Sequence, residues 1–195
     1  MSIDEKTIWN KKHSEQTHSS LTPDPLLVSA YEDFLSSAGS ETGKRKALDI
    51  AGGVGRHAIW LAERGWQVRL IDISDTGMEQ AQENARRSKT EHLIVTELQD
   101  LDGMQDFGRE QYELILGFFF LQRKLFPALA AALKPGGHLI YKTYTSEHTQ
   151  FGKGPSHPMF LLEPNELLRT FSALRILHYH ETVMTKGVAE LVARK

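Results

Sequence analysis

The sequence contains no cysteine. That absence excludes disulfides, thiolate zinc sites and a cysteine nucleophile. Long apolar runs are missing too: the longest, Leu114 to Leu121, is far too short to span a bilayer. Charge of either sign is nearly balanced, with a net −2 when histidine is neutral, so no broad positive field is available for nucleic acid or an anionic membrane. The opening segment MSIDEKTIWNKKHSEQTHSS has no apolar core of a signal peptide. There is no internal repeat and no low-complexity stretch. These absences predict a cytoplasmic protein without membrane association or nucleic-acid partner, as monomer or homodimer, and without a metal site.

What is present fits one domain. The 195 residues are 40% hydrophobic and 25% charged, enough for a substantial core. Residues 1–20 are polar and read as loosely ordered without a partner or ligand. A helix is predicted from Pro25 to Ser37, with Asp24 as its cap, Pro25 at its first position and Gly39 past its end. From Lys46 the pattern becomes an alternation of short apolar runs and helices. Strands are predicted at Ala47–Ala51, Gln67–Ile73, His92–Leu98, Tyr112–Phe118 and His138–Tyr144. Helices are predicted from the glycine cluster to about Arg64, from Asp75 to Arg87 with Thr76 and Glu79 at capping-box spacing, and from Arg123 to Leu133, where Lys134-Pro135-Gly136-Gly137 stops the chain. Such alternation implies an α/β fold, a mostly parallel sheet with helices on both faces. Two further strand-like runs, Leu174–Thr182 and Val188–Arg194, are joined by a short stretch containing Gly187. A connection that short forces an antiparallel pair, so the seven-stranded sheet should contain one reversed C-terminal strand.

The chemistry concentrates in Asp49-Ile50-Ala51-Gly52-Gly53-Val54-Gly55-Arg56-His57, where the first strand turns into a helix. Glycines there let a ligand approach the backbone, and a helix N-terminus offers free N–H groups. Ligands of open α/β sheets bind at such strand ends. Asp72 ends the second strand about 20 residues beyond the loop, the spacing of a ribose-binding acid. Gly53-Val54-Gly55-Arg56-His57-Ala58 also fits the dinucleotide pattern, so NAD(P) is an alternative. Asp49 helps decide between them: a carboxylate beside the loop repels a pyrophosphate and attracts the ammonium and sulfonium of S-adenosylmethionine (SAM).

Taken together, these features resemble the class I SAM-dependent methyltransferases, over about residues 45–194. The similarity runs through the acidic-x-x-x-Gly-x-Gly loop at Asp49 to Gly55, Asp72, Asp100-Leu101, the fourth strand Tyr112-Glu113-Leu114-Ile115-Leu116, Leu133-Lys134-Pro135-Gly136-Gly137 and the reversed last strand. Within the class the chain is similar to small stand-alone bacterial enzymes of the tellurite-resistance type. It departs from them at Ala51, where the family's loop usually has glycine. The resemblance implies a Rossmann-like core over residues 44–195 with a lid or helical segment at 1–43, together one methyltransferase domain. It implies SAM as cofactor, with Gly53 and Gly55 under the methionine part, Asp49 steering the ammonium, Asp72 on the ribose, Ile73 against adenine, Asp100 and the backbone of Leu101 at the adenine amino group, and Phe118 lining the sulfonium end.

Methyl transfer needs placement and a dry site more than a strong base, so no catalytic residue is assigned. The expected substrate cover is the N-terminal segment with Trp9, His13 and His18, and the loop Thr145 to Leu162, with Tyr144, His148 and His157 as candidate substrate contacts. His178 and His180 share a strand face, and Arg123 is a possible anion contact. The acceptor is expected to be a small molecule. The alternatives are a SAM-binding regulatory protein without turnover and an NAD(P)-dependent oxidoreductase.

Overall fold

The computed structural model describes residues 3–15, 21–36, 45–103, 105–152 and 154–195. His18, Gly39, the junction at 43–44 and Lys153 lie outside the described residues. Two compact units can be distinguished, residues 1–104 and 105–195.

The first unit contains α1 (Ile3–Glu15), α2 (Pro25–Phe34), β1 (Lys46–Ile50), α3 (Arg56–Ala62), β2 (Gln67–Asp72), α4 (Asp75–Arg87) and β3 (Ile94–Leu98). β2 lies between β1 and β3 and runs parallel to both. β1 is buried except at Lys46, and β2 is buried at Leu70, Ile71 and Asp72, so a carboxylate is carried into the core beside Leu and Ile. Asp24 caps α2 as its position predicts, accepting a hydrogen bond from the Leu26 amide at 3.0 Å. A buried His57 supports the same cap: its Nε2 accepts from the Asp24 amide at 3.3 Å. Two local expectations are corrected. Residues 3–15 form a regular helix rather than a loose segment, because α1 has a docking surface on α4. And α4 is capped by Ser74, whose Oγ accepts from the Gly77 amide at 2.9 Å; Thr76 is already inside the helix.

The second unit contains β4 (Tyr112–Phe118), α5 (Phe126–Ala132), β5 (Leu133–Tyr144), α6 (Glu166–Thr170), β6 (Arg175–Thr182) and β7 (Val188–Arg194). β4 and β5 are parallel; β7 runs antiparallel to both β5 and β6, so β7 is the reversed strand. The expected stop at Lys134-Pro135-Gly136-Gly137 is instead the start of β5. The register slips between Tyr112 and Leu114, and the irregularity takes up the glycines: Gly136 has φ +80 and donates to the Lys195 carbonyl at 2.9 Å. Arg123–Leu125 is a separate tight turn before α5. The seven strands make one sheet in the order β3-β2-β1-β4-β5-β7-β6.

Candidate cofactor site

The turn after β1 is built by backbone conformations that side chains resist. Gly53 and Gly55 have φ of +55 and +80, a region open mainly to glycine. Gly55 also lets α3 approach α4: a methyl group there would come within 3.2 Å of the Ala81 Cβ. Ala51 adopts φ +52, which explains physically why glycine is the more comfortable residue at that point. An L-residue in this conformation costs about 1–2 kcal/mol, partly offset by the ~0.4–1 kcal/mol that alanine gains through a less disordered unfolded chain. Ala51→Gly should therefore stabilise the protein by about 0.5–1 kcal/mol, raising the thermal midpoint by roughly 1–4 °C. An unchanged or lower midpoint would show that the turn is not strained.

Two carboxylates converge on this turn. Asp49, in β1, is 1% exposed, and neither of its oxygens has a hydrogen-bond partner. It lies against Gly52, where a methyl group would stand 2.8 Å from its Oδ2. Burial raises its pKa from 3.8 to about 7; the Arg56 charge opposes this, the Asp72 charge adds to it, and the Ala58 amide lowers it slightly without closing a hydrogen bond. Leaving such a group unpaired costs a protein stability. Asp72, at the end of β2, plays a different part. One oxygen accepts from the Gly53 amide at 2.8 Å and the other from the Ser74 amide at 2.9 Å. It thereby ties the glycine turn to the start of α4. An ionised carboxylate has about four acceptor positions, and these two amides use two of them.

The structure brings Asp49, Ala51, Gly53, Gly55 and Asp72 together around one turn. Ile73 follows Asp72 directly and is half-buried. Asp100 is exposed and accepts from the Asp102 amide at 2.9 Å, as in an aspartate turn, while Leu101 is buried. Phe118 belongs to the second unit, buried at the end of β4.

Several candidates of the second unit have structural work. His148 is 5% exposed, and its Nδ1 accepts from the Gly187 amide at 3.2 Å. Tyr144 stacks on it, ring centroids 4.2 Å apart. His157 caps a short turn through the Met159 amide. Arg123 forks onto Glu166 at 2.5 and 2.8 Å and reaches the carbonyls of Met159 and Leu161, so it pins the loop rather than waiting for an anion. His178 sits 3.9 Å from Glu190, which pairs with the buried Lys142 at 2.8 Å. Among the described residues no group of three metal-ligating side chains is found, and no helix is long and apolar enough to cross a membrane.

In the first unit, α1 places two groups at the glycine turn and the start of α4: Asn10, which the sequence did not point to, and His13, expected there only as part of a substrate cover. Asn10 Oδ1 accepts from the Ser74 hydroxyl at 2.7 Å and faces the Thr76 amide at 3.4 Å. The His13 ring lies over Gly53. A polar helix such as α1 gives no apolar periodicity by which its docking face could be found.

Comparison with known proteins agrees with this fold. The family model described as a methyltransferase domain matches residues 47–137. A stretch of 50 residues is 42% identical to an uncharacterized RNA methyltransferase of Halalkalibacterium halodurans, spanning 26% of this chain and only 11% of that relative's length. Among solved structures, TehB from Haemophilus influenzae superposes with a TM-score of 0.70 at 19% identity, over 96% of this chain and 67% of that one. The geranyl diphosphate C-methyltransferase of Streptomyces coelicolor, crystallised with S-adenosyl-L-homocysteine, superposes with a TM-score of 0.66 at 13% identity, over 98% and 97%. The methyltransferase-domain model thus matches residues 47–137, and the seven-stranded sheet has the Rossmann-like fold seen in solved S-adenosylmethionine-dependent methyltransferases.

Proposed function

We propose that the protein transfers a methyl group from SAM to a small-molecule acceptor, with the whole chain serving as one catalytic domain. The observation that carries this reading is the buried, unpartnered carboxylate of Asp49 beside a glycine turn. A dinucleotide pyrophosphate would be repelled there, whereas the ammonium of SAM would be paired. Asp72 would take the ribose diol with its remaining lone pairs, Ile73 would pack against adenine, and Asp100 with the Leu101 backbone would meet the adenine amino group. Phe118 would line the sulfonium end. When bound, SAM supplies an electrophilic methyl carbon; the chain's part is to hold it, orient it and keep water away.

A small acceptor is supported by the net charge of −2, and by the fold shared with the geranyl diphosphate C-methyltransferase. The short match to an RNA methyltransferase is the one observation that favours RNA. The test is label transfer from methyl-labelled SAM to a low-molecular-weight metabolite fraction and, separately, to total RNA. The expected outcome is label in the small-molecule fraction and none in RNA. Label in RNA alone would replace the acceptor assignment, and binding of SAM without turnover on either would leave a SAM-binding regulator.

A further inference from the structure

The helix α1 is held in an unusual way. Among its side chains from Glu5 to Glu15, only His13 is buried, and Ile8 is 61% exposed. Its other attachments are polar: Lys6 to Asp75 at 2.7 Å, Asn10 to Ser74 and Thr76, and the His13 carbonyl accepting from Gln80 at 3.1 Å. A surface helix normally docks by an apolar stripe; α1 docks by one histidine.

That histidine stands on the glycine turn. Its Cε1 is 3.2 Å from where a Cβ on Gly53 would be, and its Cδ2 is 3.1 Å from the same point on Gly77. The ring therefore fits between two residues that have no side chain. Trp9 backs it, with centroids 5.9 Å apart. Its Nδ1 is shut off from solvent and has no hydrogen-bond partner. A buried polar atom left unpaired destabilises the fold. Burial lowers the pKa of His13, the Asp72 charge raises it and the Lys12 charge lowers it further. Two buried residues thus flank one turn: Asp49, whose carboxylate has no partner, and His13, whose Nε2 is 3.5 Å from the Cβ point of Gly53 and 3.3 Å from that of Gly77 and can donate when it carries the proton.

We infer that His13 is a positioning residue for the amino-acid end of the cofactor, its Nε2–H, the ring nitrogen at the glycine turn, donating to the carboxylate while Asp49 accepts from the ammonium, so that α1 closes on the cofactor. The inference rests on the SAM reading of the glycine turn. It follows that the histidine senses only ligands that carry the amino-acid group. The nucleoside half is held elsewhere, at Asp72.

The two ligands for the test are S-adenosyl-L-homocysteine and 5′-methylthioadenosine, which keeps the nucleoside and lacks the amino-acid group. Calorimetry on the full chain compares wild type, His13→Ala and His13→Gln, with folding checked by thermal melting. The expected result is at least a tenfold loss of S-adenosyl-L-homocysteine affinity in His13→Ala, less than a twofold change for 5′-methylthioadenosine, and partial recovery in His13→Gln. Should His13→Ala fail to fold, His13→Gln carries the comparison, with a loss confined to S-adenosyl-L-homocysteine. Equal losses for both ligands, or none, would overturn the role of His13 while leaving the SAM site standing. Absence of S-adenosyl-L-homocysteine binding in wild type would overturn both.

Discussion

Asp49→Asn should weaken SAM binding and, in the empty protein, raise stability at neutral pH. The two effects have one cause. The carboxylate is buried without a partner, so it is costly until a cation arrives. Replacing it by an amide removes a charge-assisted hydrogen bond of about 1.5–3 kcal/mol, a loss of roughly tenfold to a hundredfold in affinity. The stability effect follows from linkage. Burial raises the folded pKa from 3.8 to about 7, so between those values the folded state binds more protons than the unfolded state. Stability therefore falls as pH rises through that window, and the penalty is complete above it. The asparagine variant has no such loss. It should gain nothing near pH 4 and on the order of 1 kcal/mol or more above pH 7, once the cost of burying its own amide is subtracted. Urea unfolding of both proteins at pH 4.5 and pH 8 reads this directly. Parallel pH profiles would show that Asp49 is already paired or exposed.

The second large effect is expected at Asp72. Asp72→Ala should cost both binding and fold. Loss of two charge-assisted bonds to the ribose lowers SAM affinity at least tenfold, at about 1.5–3 kcal/mol for each bond. The same substitution leaves the amides of Gly53 and Ser74, now 2.8 and 2.9 Å from the carboxylate, without their acceptor. Each unsatisfied amide costs about 1–3 kcal/mol, so the melting temperature should drop on the order of 5–10 °C. A variant that loses affinity without losing stability would mean that the amides find other partners. One that keeps its affinity would remove Asp72 from the cofactor site.

These two aspartates show what was legible in the sequence. Asp49 and Asp72 could be found from spacing to the glycine turn, because short-range geometry fixes it: a strand end, a tight turn, a helix start. What spacing could not show is that Asp72 also anchors that turn, since the anchor depends on the Gly53 amide pointing back across it. The strands and the reversed β7 were readable from apolar runs and from the shortness of the last connection. The helix α1 was not, because its docking is polar and rests on one histidine. Thr76 was misjudged as a cap by the box pattern because Ser74, two residues earlier, reaches Gly77 first. His148 read as a substrate contact, yet its partner is Gly187, 39 residues away; contacts that distant leave no local signature.

Isothermal titration with S-adenosyl-L-homocysteine and with NAD, at pH 8 and pH 6, tests whether the glycine turn with Asp49 and Asp72 holds SAM. The expected result at pH 8 is micromolar binding of S-adenosyl-L-homocysteine and negligible binding of NAD. With Asp49 titrating at about 7 in the empty protein, only about a tenth of it is ionised at pH 6, so affinity there should fall by nearly tenfold. Tight NAD binding without S-adenosyl-L-homocysteine binding would show that the turn holds a dinucleotide and not SAM.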